Sequence, residues 1–123
     1  MILIGDKIVP YEDISNILSI EDIKNTKANS CISFVYNEEI LSYTYKNNIS
    51  SAVIITSIKE AIYANSLNTK YIICKKQLAK QLQKIAENYM FDSKVLAIIS
   101  SNDEFEEIAL AEIDGIIYKN ILG

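Results

Sequence analysis

Residues Ala52–Cys74 read AVIITSIKEAIYANSLNTKYIIC, and the architecture of the whole chain can be built from them. The stretch opens on Ala52–Thr56 and closes on Tyr71–Cys74, two short runs that are apolar at consecutive rather than alternate positions. Runs of this kind, rich in Ile and Val, suit strands buried on both faces of a parallel sheet. Between them, Ser57 and Glu60 have the spacing of a capping box at the start of a helix over Ile58–Asn65. The interval leaves room for one crossover helix, which parallel neighbours require.

The same rhythm extends in both directions. Cys31–Tyr36 (CISFVY), Val95–Ser100 (VLAIIS) and Gly115–Tyr118 (GIIY) are further apolar runs, beginning about twenty residues apart. Asn37 can cap a helix over Glu38–Lys46, with Ile40, Leu41 and Tyr45 facing inward. A helix over Gln77–Tyr89 puts Leu78, Leu82, Ile85 and Tyr89 on one face. Ser101 and Glu104 repeat the capping-box spacing before Phe105–Glu112, and Asp103 and Glu104 complement the helix dipole there. The first 29 residues differ. Ile2–Ile4 and Lys7–Val9 flank Gly5 and Asp6, which predicts a hairpin or one interrupted edge strand ended by Pro10. Ser19 and Asp22 can cap a short helix over Ile20–Lys27. The last run lies close to Gly123, so one face of the sheet is expected to lack a helix, and Ile20–Lys27 or a partner subunit is expected to cover it. The expected fold is therefore α/β and three-layered, with a mostly parallel sheet of five or six strands. It forms a single domain (1–123) in which residues 1–29 pack as an N-terminal extension on a βα core of residues 30–123.

Composition narrows the chemistry. A chain of 123 residues, half of them hydrophobic, can bury a core without metals or disulfides. It has no His, and its 12 basic residues are all Lys, against 16 acidic ones. Imidazole base catalysis and His-containing zinc sites are thereby excluded, as are bidentate Arg forks to phosphate or guanine. The net charge of −4 argues against nucleic acid or an anionic membrane surface as partner. Cys31 and Cys74 are too far apart in sequence for a short-spaced metal or redox motif and read as free thiols of a cytoplasmic protein. No apolar run is long enough for a membrane span, and Gly5, Asp6 and Lys7 interrupt the N-terminal apolar residues too early for a signal sequence.

From residue 30 to 119 the order of elements resembles the receiver domain of response regulators, a flavodoxin-like fold. The closest stretch is Val95–Lys119, VLAIISSNDEFEEIALAEIDGIIYK. It is similar to a receiver's fourth strand ending in a hydroxyl residue, here Ser100, followed by an acidic helix start and a fifth strand ending in lysine, here Lys119. FVYNEEIL and VIITSIKEAI resemble the first two strands with their following turns. The activity residues depart from the pattern. Tyr36 and Asn37 stand where a receiver carries its magnesium-holding acidic pair, with Glu38 one step late. Cys74 or Lys75 stands in place of the phosphoacceptor aspartate, and neither can form an aspartyl phosphate. Asn120 replaces the proline that usually follows the lysine. The resemblance thus implies a degenerate receiver that is not phosphorylated in the usual way. The rhythm also suits a fragment of a TIM-type barrel, but five units cannot close a barrel, so an open sheet is expected.

In open parallel sheets, ligands sit beyond the carboxyl ends of the strands, where strand order reverses. That rule selects Asn37, Glu38, Ser57, Cys74, Lys75, Ser100, Ser101 and Lys119 as candidate ligand-binding residues, with Thr56 beside them. Ser100 and Lys119 could cradle an anion, aided by backbone N–H groups of the helix starting near Asn102. The plainer alternative makes Ser57 and Ser101 helix caps, Lys119 a solvated side chain and Cys74 a core thiol. Lys76, Lys80 and Lys84 form a positive stripe that could meet an acidic partner or simply face solvent. Glycine-rich phosphate loops cannot be drawn with only Gly5, Gly115 and Gly123. The expectation is a non-catalytic interaction or regulatory domain with no catalytic residues, cofactor or metal, contacting a protein partner or a second copy of itself. The alternative is a small-molecule or anion-binding module, conceivably an enzyme, with its site at the strand tips.

Overall fold

Consecutive apolar positions become strands, and capped amphipathic stretches become helices, throughout the computed structural model, which describes residues 1–123. The strands are β1 (Ile2–Ile4), β2 (Ile14–Asn16), β3 (Cys31–Val35), β4 (Ser51–Ile54), β5 (Tyr71–Lys75), β6 (Lys94–Ile99) and β7 (Gly115–Tyr118). The helices are α1 (Glu38–Lys46), α2 (Ile58–Ser66), α3 (Lys76–Asn88) and α4 (Phe105–Leu110), with 3-10 turns at Ile20–Asn25, Asn102–Glu104 and Lys119–Leu122. The α/β class and the parallel sheet are as expected. The strand count is seven rather than five or six, because β1 and the unforeseen β2 join the five core strands. No helix is long and apolar enough to cross a membrane.

Every neighbouring pair of strands is parallel, and the order is β1-β7-β6-β5-β4-β3-β2. From β2 to β7 each strand lies beside its successor in sequence, so nowhere in that run does the order double back. Right-handed crossovers advancing in one direction leave every helix on the same face. The burial pattern agrees. Ile32, Phe34, Val53, Ile72, Cys74, Val95, Ala97 and Ile116 share one core cluster with Leu41 of α1, Ala61 of α2, Leu82 of α3 and Ile108 of α4. The alternate residues on the other face (Ile4, Cys31, Ala52, Tyr71, Ile73, Leu96, Ile117) form a second cluster.

That second face corrects one expectation. The turn at Ile20–Asn25 does not cover it, since Ile20 and Ile23 pack with the other helices on the first face. Instead the sheet curls around it, and Ile14, Ile121 and Leu122 fill the concavity. Two long-range bonds report the curl. Asn16, at the end of β2, donates from Nδ2 to the carbonyl of Ile121 just past β7, at 2.8 Å. In a flat sheet β2 and β7 would lie about 24 Å apart. Glu12, just before β2, reaches Lys70 and Tyr71 at the start of β5. The sheet keeps two free edges, β1 and β2, so it is curled without being closed.

Of the two N-terminal readings the edge strand holds and the hairpin does not: Ile2–Ile4 is a strand, but Lys7–Val9 bends away, the Ile8 and Val9 amides bound by the Asp6 carboxylate (2.9 and 3.1 Å). Instead of folding back on its own sequence, β1 pairs with β7, Ile2 opposite Gly115. Gly115 permits the contact, because a Cβ there would fall 2.4 Å from the Ile2 carbonyl oxygen.

Candidate functional site

Three strand-to-helix turns are built alike. Asp22 Oδ2 accepts from the amides of Leu18 (2.8 Å) and Ser19 (3.1 Å). Glu60 Oε1 accepts from the Thr56 amide (2.9 Å), and Glu104 Oε2 from the amides of Ser100 (2.7 Å) and Ser101 (3.1 Å). In each case the acid three residues into the helix folds back over the strand tip, the reciprocal half of a capping box. The serines and Asn37 complete the caps: Ser57 Oγ accepts from Glu60 N, Ser101 Oγ from Asp103 N and Asn37 Oδ1 from Ile40 N. Of the backbone donors beside Ser100, the Ser100 and Ser101 amides are therefore occupied by the Glu104 carboxylate and the Asp103 amide by the Ser101 hydroxyl. The reason lies in the SNDE sequence: the acid that marks the helix start also reaches back to the two amides just before it.

Two of the three lysines of the α3 stripe, Lys76 and Lys80 but not Lys84, have ion-pair partners inside the chain. Lys76 pairs with Glu104 (2.7 Å) and Glu107 (3.2 Å), and Lys80 with Glu107 (2.8 Å), tying α3 to α4. Lys76 chiefly, then the Ser100 amide, holds the Glu104 carboxyl below its ordinary value of 4.5, against a smaller opposing effect of burial.

One concavity of about 850 Å³ stands out at the carboxyl tips of β1, β6 and β7. Gly5, Asp6, Lys7 and Ile8 line it from the turn after β1, Ser100, Ser101 and Asn102 from the turn after β6, and Tyr118, Lys119, Asn120 and Gly123 from the end of β7. Gly5, at φ +94°, lets the chain turn off β1, and its missing side chain makes room for Ile121. Tyr118 donates its hydroxyl to Asp6 Oδ1 (3.0 Å) while its ring stands edge-on to Phe105. These contacts separate the ionisable groups from neutrality. The Ile8 amide first, then those of Val9 and Lys7 with the Tyr118 hydroxyl, holds the Asp6 carboxyl below its usual range despite some burial. Burial, then Asp6, pushes the Tyr118 phenol above its own.

Of the eight candidate residues, the cavity gathers three: Ser100, Ser101 and Lys119. Asn37 and Ser57 are caps of other helices, and Asn37 borders a smaller apolar groove with Ile17, Leu18, Phe34, Val35, Tyr36 and Ile40. Glu38 is exposed in the first turn of α1, and Lys75 is exposed at the end of β5. Cys74 lies in the core on the helix side, where burial pushes its thiol up to about 12. Cys31 is enclosed on the concave side, its thiol raised to about 11 by burial. The residues that the sequence reading missed are Asp6, Lys7 and their neighbours. The signal was present: Ile2–Ile4 followed by Gly5-Asp6 is an apolar run ending in a turn, like the other strand tips. No group of three or more His, Cys, Asp or Glu side chains is placed to hold a metal ion.

At the opposite end of the sheet, Glu12 accepts from the Tyr71 hydroxyl and bonds Lys70 Nζ at 2.8 Å, beneath the concave core. This cluster braces the segment between β1 and β2. Neither protein-family models nor proteins of curated function match this chain in sequence.

Proposed function

We propose that the chain is a non-catalytic regulatory domain that binds a small polar molecule at the tips of β1, β6 and β7. The observation that carries this reading is the cavity itself, where segments far apart in sequence bring Lys7, Ser100, Asn102, Lys119 and Asn120 to one place. Its volume falls in the range of small-molecule sites. The titratable pair in its wall argues for binding over acid–base chemistry. A general acid or base works best with a pKa near the working pH, whereas Asp6 is pushed down and Tyr118 up. Both thiols are buried and raised, which removes them as nucleophiles.

The output of such a domain is a protein contact. Leu18 is 93% exposed and Val35 65% exposed where β2 and β3 end, beside the free edge of β2, and exposed apolar side chains gathered at one place favour association. The test of the binding reading is amide chemical-shift mapping of the whole chain against a panel of polar metabolites. Shifts should concentrate at Gly5–Ile8, Ser100–Asn102 and Tyr118–Asn120. A panel that moves none of them, or ligands that act only elsewhere, would overturn the assignment.

A further inference from the structure

We propose that the molecule bound in this cavity is a phosphate monoester, its phosphate gripped by Lys7 and Lys119; the inference rests on the binding function assigned above. Charge is the first argument. The cavity wall holds two lysine side chains and one side-chain carboxylate, whose oxygens are both engaged: Asp6 uses one for the Ile8 and Val9 amides and the other for the Tyr118 hydroxyl. The nearby Glu104 is engaged by the Ser100 and Ser101 amides and paired with Lys76. Lys7 and Lys119 take part in none of the chain's five ion-pair contacts. Two lysines against the single Asp6 charge leave the side chains of the wall net positive in a chain of net charge −4, which suits an anion.

The second argument is geometric. The two lysines come from opposite ends of the sequence, Lys7 on the turn leaving β1 and Lys119 directly after β7, and they share the cavity only because β1 docks on β7. The Ser100, Ser101 and Asp103 amides of the β6 turn are filled internally and are not free to hold the anion. Recognition therefore falls to point charges, the mode in which lysine binds phosphate. A space of about 850 Å³ exceeds what a lone phosphate ion fills, and Ser100, Asn102 and Asn120 offer hydroxyl and amide groups for the remainder. A compact ester bearing hydroxyls, such as a sugar phosphate, matches this set.

Isothermal titration and amide mapping of the full chain would use glucose 6-phosphate and adenosine monophosphate, with glucose, adenosine and inorganic phosphate as comparison probes. At least one ester should bind tighter than its unphosphorylated counterpart and weaken as salt is added. Each of Lys7→Gln and Lys119→Gln should weaken it about tenfold or more, the loss expected for one hydrogen bond to a charged group. Both side chains are exposed, so the variants should keep the parent's melting temperature, and Lys84→Gln should bind as the parent does. Equal affinity for the unphosphorylated compound, or undiminished binding by both lysine variants, would overturn the phosphate assignment while leaving the binding function standing. If millimolar ester and inorganic phosphate leave every cavity amide unmoved, the phosphate assignment falls. The binding function falls with it only if the uncharged probes and the wider panel are equally silent.

Discussion

Glu104 joins two elements through one carboxylate, accepting from the Ser100 and Ser101 amides and pairing with Lys76. Its ionised form is favoured in the folded chain, so its carboxyl lies below the ordinary value of 4.5. A group with a depressed folded pKa contributes stability that is fully present above the unfolded value and is lost as pH falls through the folded one. Glu104→Gln should therefore lower stability at pH 7 by about 1 kcal/mol, the size of a typical cap. The gap between variant and parent should close as the pH is taken below 4.5. Urea unfolding of both proteins across that range measures it, and a gap independent of pH would show that the charge is not what stabilises the turn.

At the scale of elements, the helix ends repeat as regularly as the helix starts. Each of the four helices stops at a residue in the left-handed region: Asn48 (φ 52°), Asn68 (φ 61°), Met90 (φ 51°) and Glu112 (φ 59°). The next residue then donates back into the last turn, Ile49 N to Thr44 O, Thr69 N to Ala64 O, Phe91 N to Ala86 O and Ile113 N to Ile108 O. This is the Schellman closure, usually made with glycine and tolerated by asparagine. Met90 and Glu112 hold the same conformation against the steric preference of a side chain. Glu112→Gly should stabilise the domain by up to about 1 kcal/mol, read as a higher melting temperature. An unchanged or lower one would mean that Glu112 makes up its backbone cost elsewhere. The starts of α1, α2 and α4 were legible because Asn37, Ser57 and Ser101 announce themselves by residue type and spacing, whereas α3 follows Lys75 with no side-chain cap. Their ends were harder to read, because Met90 and Glu112 give no local sign of a left-handed turn.

At the scale of the molecule, the parallel βα core was legible from Cys31–Tyr118, since burial on both faces imposes an unbroken apolar run. Strand order was not, because every run is apolar on both faces and none carries a mark of its neighbours. The three-residue β2, with the sequence ISN, is too short and too polar at its end to signal a strand at all. The cavity was half legible for the same reason: Ser100 and Lys119 lie at the ends of recognisable strands, whereas Lys7 joins them only through the docking of β1. That docking depends on Gly115. Gly115→Ala puts a Cβ against the Ile2 backbone and should cost about 1–3 kcal/mol, as over-packing does. Hydrogen exchange should then show Ile2–Ile4 deprotected while β3 to β6 stay protected. If β1 amides remain as slow as those of β5, the strand is held by something other than this contact.

The strand order also orders events in time. Five of the six pairings join a strand to the next one along the chain, so they close over short stretches and can accrete one after another. The sixth, β1 on β7, spans nearly the whole length of the polypeptide. The β1 pairing is consequently the one expected to form last, and it brings Lys7 with it. A partly melted chain can thus own every helix and an almost complete sheet yet have no pocket, so under the proposed binding function ligand occupancy would report whether the final strand has come home.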